Sequence, residues 1–237
     1  MVQLMERVRP AKVWIAASTL DNLGLVLNDQ RRLDEAEAVI REALAIQRKV
    51  FGEEHPDVSD SLFNLGAVLQ GRGKLLEAEA AFRDSLAMRR KLMGNDHSVA
   101  EVTLRYLAGL YQEEGKLAEA EAACREQLAL AKKLSGTGKP DLAYSLQRLT
   151  DLLYDQAKWA GAEAPCRDAI AEFKRVMQED PGNSDLPLGL GHSEWKLAEV
   201  QGKIGRSDSA EQVLREALEV FEKAARDFPT EPYLRQE

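Results

Sequence analysis

His55 and His97 stand 42 residues apart, and so do Cys124 and Cys166. Imidazole and thiolate are the usual ligands of zinc, and two thiols can close a disulfide. Neither chemistry follows from this spacing. No second ligand accompanies either histidine at a metal-like interval, and the next loop carries Lys139 in their place. Equivalent positions on neighbouring repeats lie roughly 10 Å apart, one helix-packing distance, whereas a disulfide needs Cα atoms within about 7 Å. The histidines are expected to hold the turn by an inter-repeat hydrogen bond, and the cysteines to fill small apolar core positions. Glu37, Glu79, Glu121 and Glu163 recur at the same interval. A catalytic acid–base pair needs one site of fixed geometry and not four copies, so these carboxylates are solvated or bridge repeats. SGTGKPDL, from Ser135 to Leu142, imitates a phosphate loop, yet Lys133 occupies the first glycine's place and Pro140 replaces the magnesium-binding hydroxyl. Gly189 and Gly191 make a bare GxG without a preceding strand and are read as linker, and His192 is solitary. No nucleophile stands with a base in a recognised motif. The expectation is a non-enzymatic chain with no cofactor and no metal.

What fails as chemistry works as a period. Stretches beginning at Leu20, Leu62, Leu104 and Leu146 superimpose when the sequence is slid by 42 residues. A constant period of this size marks a solenoid of one supersecondary unit, whose function lies on a long stacked surface. In the second copy Leu62, Leu65 and Leu69, then Leu75, Ala78, Phe82 and Leu86, follow the rhythm of two amphipathic helices. Gly73, Gly115 and Gly205 suit the left-handed residue that ends a helix before a tight turn. Gly52, Gly94 and Gly136 close the second helices, and Pro56 and Pro140 steer the chain onward. Small residues recur where the two helices must approach: Gly24, Gly66, Ala108 and Thr150 in the first, Ala36, Ala78, Ala120 and Ala162 in the second. The core face of the first helix takes Leu20, Leu23, Gly24 and Leu27.

These columns, with NLG in the first helix, GKLxEAEA at the turn and GxxHPDV between units, resemble the tetratricopeptide repeat (TPR) in its longer, kinesin-light-chain form. The resemblance covers residues 17 to 177. It implies an all-α, right-handed superhelical solenoid of antiparallel helix pairs, its concave wall lined by first helices. The fourth copy departs at Thr150 and at Pro165, which is expected to kink its helix or delay its start. The resulting division is a partial helix of a preceding unit (1–16), repeats at 17–58, 59–100, 101–142 and 143–177, and a Pro/Gly linker at 178–191. A fifth repeat follows at 192–226, with Leu197, Ala198, Gly205, Ala210 and Ala217 on the columns, then a linker at 227–237. Residues 1–9 resemble the tail of a second helix, so the chain reads as part of a longer array. The later units also resemble, over a shorter stretch, TPR tails of bacterial serine/threonine kinases.

Helical geometry nominates the groove. A face stepping by four, three and four takes Ser18, Asn22, Leu25 and Asp29; the same columns give Asp60, Asn64, Ala67 and Gly71, then Val102, Tyr106, Gly109 and Glu113. The fourth copy gives Tyr144, Arg148, Asp151 and Asp155, and the fifth His192, Lys196, Glu199 and Lys203. By the resemblance, Asn22 and Asn64 match the asparagine that hydrogen-bonds the backbone of an extended peptide; an amide both donates and accepts. The first column, Ser18, Asp60, Val102, Tyr144 and His192, lacks the lysine that a carboxylate clamp wants. Tyr106, Tyr144, Phe63 and Trp195 are candidate aromatic anchors, with a place between repeats the alternative for Phe63 and Trp195, and Trp159 is expected in the core. The expected function is a protein–protein interaction scaffold holding an extended peptide or partner helix in this groove. End-to-end self-association, or regulation of a larger signalling protein, is the alternative.

Composition agrees with this and excludes other classes. A formal charge of −8 disfavours binding of nucleic acid, which rests on clustered cations. No run of 18 apolar residues spans a membrane. The first residues, with Arg7, Arg9 and Lys12, lack the apolar stretch of a signal peptide. A reducing, cytoplasmic setting is therefore expected.

Overall fold

The structure is a computed structural model of the 237-residue chain. It describes the backbone of residues 2–94, 98–134 and 141–227, with side chains from residue 14 onward within those stretches and up to residue 133 in the second. Among the described residues there are ten helices and no strand: α1 (Val2–Asp29), α2 (Leu33–Phe51), α3 (Pro56–Gly71), α4 (Leu75–Met93), α5 (Ser98–Glu113), α6 (Leu117–Leu134), α7 (Asp141–Asp155), α8 (Trp159–Glu179), α9 (Asp185–Lys203) and α10 (Ser207–Asp227). Two compact units divide within α6, between Ala123 and Cys124. In the first unit α1 packs on α2 and α3 on α4, while α2 also covers α3 and α4 covers α5. In the second, α7 packs on α8, α8 on α9 and α9 on α10. Such short connections make consecutive helices antiparallel neighbours.

Each pair is joined by one turn built the same way. The N–H of Arg32, Lys74, Lys116, Lys158 and Arg206 reaches back to the carbonyls of Leu27, Leu69, Tyr111, Leu153 and Gln201 at 2.8–2.9 Å. This is the helix-ending motif whose preceding residue must be left-handed. Gly73, Gly115 and Gly205 meet that need with φ of 73°, 72° and 80°; Arg31 and Ala157 adopt it despite their Cβ atoms, at 61° and 55°. Gly52 and Gly94 close α2 and α4 with φ of 85°. Gly136, Lys139, Pro140 and His97 lie outside the described residues. His55 holds its turn by a local bond and not the expected inter-repeat one: its Nδ1 accepts the Asp57 N–H at 3.2 Å, capping α3, and its ring stacks on Phe51 at 4.2 Å.

The small-residue columns are where the helices touch. A Cβ on Gly24 would lie 2.4 Å from Ile40, and one on Gly66 2.7 Å from Phe82. Ala36, Ala78, Ala120 and Ala162 are wholly buried. Cys124 and Cys166 are free and buried. The Cys166 thiol donates to the Ser193 carbonyl at 3.2 Å, and burial pushes its pKa up to about 12.

Four expectations need correction. Leu23 is 44% exposed, although Leu65, its counterpart one repeat on, is 4% exposed beneath α2. The column is apolar throughout, but burial needs a preceding second helix on it. At the amino end α1 runs unbroken from Val2 to Asp29, through the expected boundary at residue 16. The Pro/Gly interval 178–191 is largely helical: α8 extends to Glu179 and α9 begins at Asp185. Pro187 falls in the first turn of α9, where its missing N–H costs nothing. Gly189 and Gly191 are packing residues, because a Cβ there would lie 2.5 Å from Phe173 and 2.4 Å from Phe221. Finally, of the kink or late start expected of Pro165, the late start does not occur: α8 begins at Trp159, with Pro165 inside it.

The carboxylate column ties one pair of helices to the next. Glu37 on α2 is bound by Arg72 and by Lys74 at 3.0 Å, both before α4; Glu79 on α4 by Lys116 at 2.6 Å; Glu163 on α8 by Arg206 at 2.7 Å. For Glu37, burial pushes its carboxyl up, but hydrogen bonds from Lys74, Arg41 and Arg72 outweigh that and hold it below its ordinary 4.5. The hydrogen bond from Lys116 is the main cause for Glu79, which is also lowered. A depressed carboxylate stabilises the fold above its unfolded pKa, and that stability goes as pH falls through the folded value. Asp21 acts oppositely, because burial raises its pKa and protonation relieves it. The urea midpoint should therefore fall on acidification below about pH 4.5. A Glu37→Gln/Glu79→Gln variant should be less stable at neutral pH and lose less on acidification; an equal acid loss would count against the clasps.

Candidate peptide-binding groove

The groove columns are placed by the first helices. In the first unit α1 touches α3 and α3 touches α5, so their outward faces form a row. Asn22, Asp29, Asp60, Tyr106 and Glu113 are exposed on it, and Asn64 is half-buried. Asn22 and Asn64 make no hydrogen bond to a protein group among the described residues, so both amides can still donate and accept. Asp60 accepts from Arg89 at 2.6 Å, and Glu113 accepts from Gln70 of the preceding first helix at 2.6 Å. Tyr106 sets its ring edge-on to Phe63 at 4.9 Å and lies 5.5 Å from Phe82. Phe63 thus sits between repeats, while Tyr106 presents its other side outward at 37% exposure.

The second unit brings α7 and α9 together. Tyr144 is exposed and packs edge-on to Phe173 at 5.1 Å. Arg148 is half-buried on the same helix. His192 approaches Asp151 at 3.6 Å and its ring lies 5.6 Å from exposed Trp195. Lys196, nominated for the groove, is engaged by its neighbours. Its side chain is 11% exposed, its ammonium lies 2.9 Å from Glu199, and it sits 4.3 Å and 4.7 Å from the centroids of Tyr154 and Trp195. Burial opposes that charge, but Glu199 and Asp151 outweigh it and raise its pKa. Trp159 is only half-buried, with Lys203 over its ring at 5.7 Å.

Polar residues beneath the groove escaped the sequence reading. The buried Ser61 hydroxyl lies 2.6 Å from both the Asp21 carboxylate and the Gln47 amide oxygen, with one proton to donate to either, and Gln47 donates to Asp21 at 2.7 Å. One repeat on, buried Arg89 donates to Ser59, Thr103 and the Val99 carbonyl as well as Asp60. Burial depresses its pKa, and Asp60 partly restores it. In the second unit Gln127 donates to Ser145 at 3.0 Å. The available signal was a hydroxyl column, Ser61, Thr103, Ser145 and Ser193, on the same repeat spacing as the leucines. These hydrogen bonds join the first and second helices beneath the nominated face. Among the described residues no three His, Cys, Asp or Glu gather as metal ligands, and no helix is long and apolar enough to cross a membrane.

The sequence profile of the tetratricopeptide repeat matches residues 15–91 and 99–174. No curated protein matches significantly. Among solved structures, BtubC (BKLC) from P. vanneervenii is 19% identical with a TM-score of 0.77, the match covering 99% of this chain and 90% of that one. A protein from Podosopora anserina, described as a kinesin light chain with nearly identical TPR-like repeats, is also 19% identical, with a TM-score of 0.74 and coverage of 92% and 98%. The Rap conjugation gene regulator of plasmid pLS20, in complex with the Phr* peptide, is 15% identical with a TM-score of 0.57, covering 92% of this chain and 56% of that one. At these identities the likeness establishes the fold, a solenoid of TPR-like helix pairs.

Proposed function

Because this chain belongs to the tetratricopeptide repeat family, whose fold serves protein–protein interaction, we propose that it is a non-catalytic scaffold holding an extended peptide along its first helices. The observation that carries this reading is the pair of unbonded amides, Asn22 and Asn64, in one column of adjacent helices α1 and α3. A backbone presents alternating donors and acceptors, which such amides satisfy whatever the side chains. Tyr106 and Tyr144 offer ring area at each unit's wall. The first unit's groove columns carry Asp29, Asp60 and Glu113 without Lys or Arg, so its ligand segment is basic or neutral-polar. The plasmid regulator that matches in fold is a peptide complex, which supports the reading by analogy. The work setting is cytoplasmic, in keeping with two free, buried thiols.

The test is a peptide array read by capture, comparing the chain with an Asn22→Ala/Asn64→Ala variant. Two hydrogen bonds of about 0.5–1.5 kcal/mol each predict capture weakened by about tenfold or more. Helicity and melting should not change, since neither amide bonds the protein. Unaltered capture in the variant would remove the assignment.

A further inference from the structure

Interior junctions of this chain have two parts, an apolar seam and a polar clasp. In the seam, Ile40, Phe82 and Cys166 of the second helices are 0%, 0% and 1% exposed. Leu214 holds that column in α10 and is 45% exposed, with Leu218 beside it at 59%. The partner side of the seam is Leu65 and Val68 in α3, and Leu197 and Val200 in α9, all at most 4% exposed. Leu23 and Val26 hold those columns in α1 and are 44% and 51% exposed. So, among the described residues, α10 bears an uncovered second-helix face and α1 an uncovered first-helix face.

The clasp has the same asymmetry. In each described junction a glutamate in the opening turns of one second helix binds the cation just before the next second helix: Glu37 with Lys74, Glu79 with Lys116, Glu163 with Arg206. Glu211 holds the acid's place on α10 and Arg32 the cation's place before α2. Each is more than half exposed and engaged only locally, Glu211 with Arg215 and Arg32 with Glu35, both at 2.7 Å. The two halves of one more clasp thus stand on the two uncovered faces, with the polarity of an interior junction.

We propose that the α10 face takes the α1 face of a second copy of this chain, head to tail. Leu214 and Leu218 lie over Leu23 and Val26, and Glu211 of one copy meets Arg32 of the next. This contact uses columns other than Asn22 and Asn64 and does not depend on the groove reading. A heterologous contact of this kind propagates or closes into a ring instead of stopping at a two-fold dimer.

Sedimentation velocity of the whole chain over a wide concentration range tests it. Mass should grow with concentration beyond a dimer, and Leu218→Asp should abolish the growth. Glu211→Arg and Arg32→Glu, both surface changes checked for helicity, should each weaken association by about tenfold. Mixing the two variants should restore it, because each then finds an opposite charge. A chain monomeric at every concentration, association indifferent to both reversals, or a mixture that fails to recover would each overturn the proposal. Arg32→Gln and Glu211→Gln provide the same comparison if a reversal disturbs folding.

Discussion

Replacing Phe173 with alanine should destabilise the second unit by about 3–5 kcal/mol, the range for truncating a fully buried aromatic ring. Phe173 is wholly buried in a cluster with Ala143, Val176, Leu186 and Leu190. Its ring packs edge-on to Tyr144 at 5.1 Å, and on the other side a Cβ at Gly189 would lie 2.5 Å from it. Gly189 has no side chain with which to fill the resulting void, so the site collapses poorly and the cost belongs in the upper part of the range. Chemical denaturation followed by a signal from Trp159 or Trp195 reads the effect. A further substitution distinguishes tight packing from mere burial. Gly189→Ala should destabilise the parent chain, where it meets the ring, and should partly rescue Phe173→Ala, where it fills space. A loss under about 1 kcal/mol, or a Gly189→Ala effect of the same sign in both backgrounds, would contradict this packing.

Gly189 also shows where sequence reading reaches its limit. The periodic columns made the helices, the turn glycines and the close approach of Gly66 to Phe82 legible, because each is a local rule repeated at constant spacing. The same logic read Gly189 and Gly191 as linker, since the stretch around them is rich in Pro and Gly and the spacing there changes from 42 to 48. They belong to a helix because of Phe173 and Phe221, one in the preceding helix pair and one across the hairpin, which no window around residue 190 contains. Leu23 fails for a related reason: a column states what a residue is, whereas burial depends on which helix lies on it. Of the nominated face, exposure was legible as geometry: helical stepping put Tyr106 and Tyr144 on accessible faces. Lys196 was not, because its ammonium is taken up by Tyr154, Trp195 and Glu199 through tertiary contacts. The buried Asp21–Ser61–Gln47 group joins three helices, so the sequence shows only its hydroxyl column, as regular as that of the leucines, and not its partners.

Glu194→Leu should stabilise the chain, by about 1–4 kcal/mol on the scale for replacing buried ion pairs with packed apolar side chains. The position belongs to the column of Leu62, Leu104 and Leu146, which are 5%, 3% and 3% exposed; Glu194 is 1% exposed in their place. Its Oε1 lies 2.9 Å from the ammonium of Lys174, while Oε2 is buried with no hydrogen-bond partner in the protein. Lys174 is half-exposed at 49%, so removing the carboxylate returns that cation to water and strands no buried charge. The gain should fall toward the lower end of the range, because water already solvates half of the pair. Lys174→Met alone should act in the opposite direction, leaving the carboxylate buried without its cation, and the Lys174→Met/Glu194→Leu pair should match Glu194→Leu. Those three urea midpoints close a double-mutant cycle. A destabilising Glu194→Leu would contradict the prediction, meaning that leucine does not pack beside the cleft of about 450 Å³ lined by Ile170, Gln212 and Glu216. A leucine-like gain would mean that this helix pair follows the same packing rule as the others and carries its glutamate at a cost to stability.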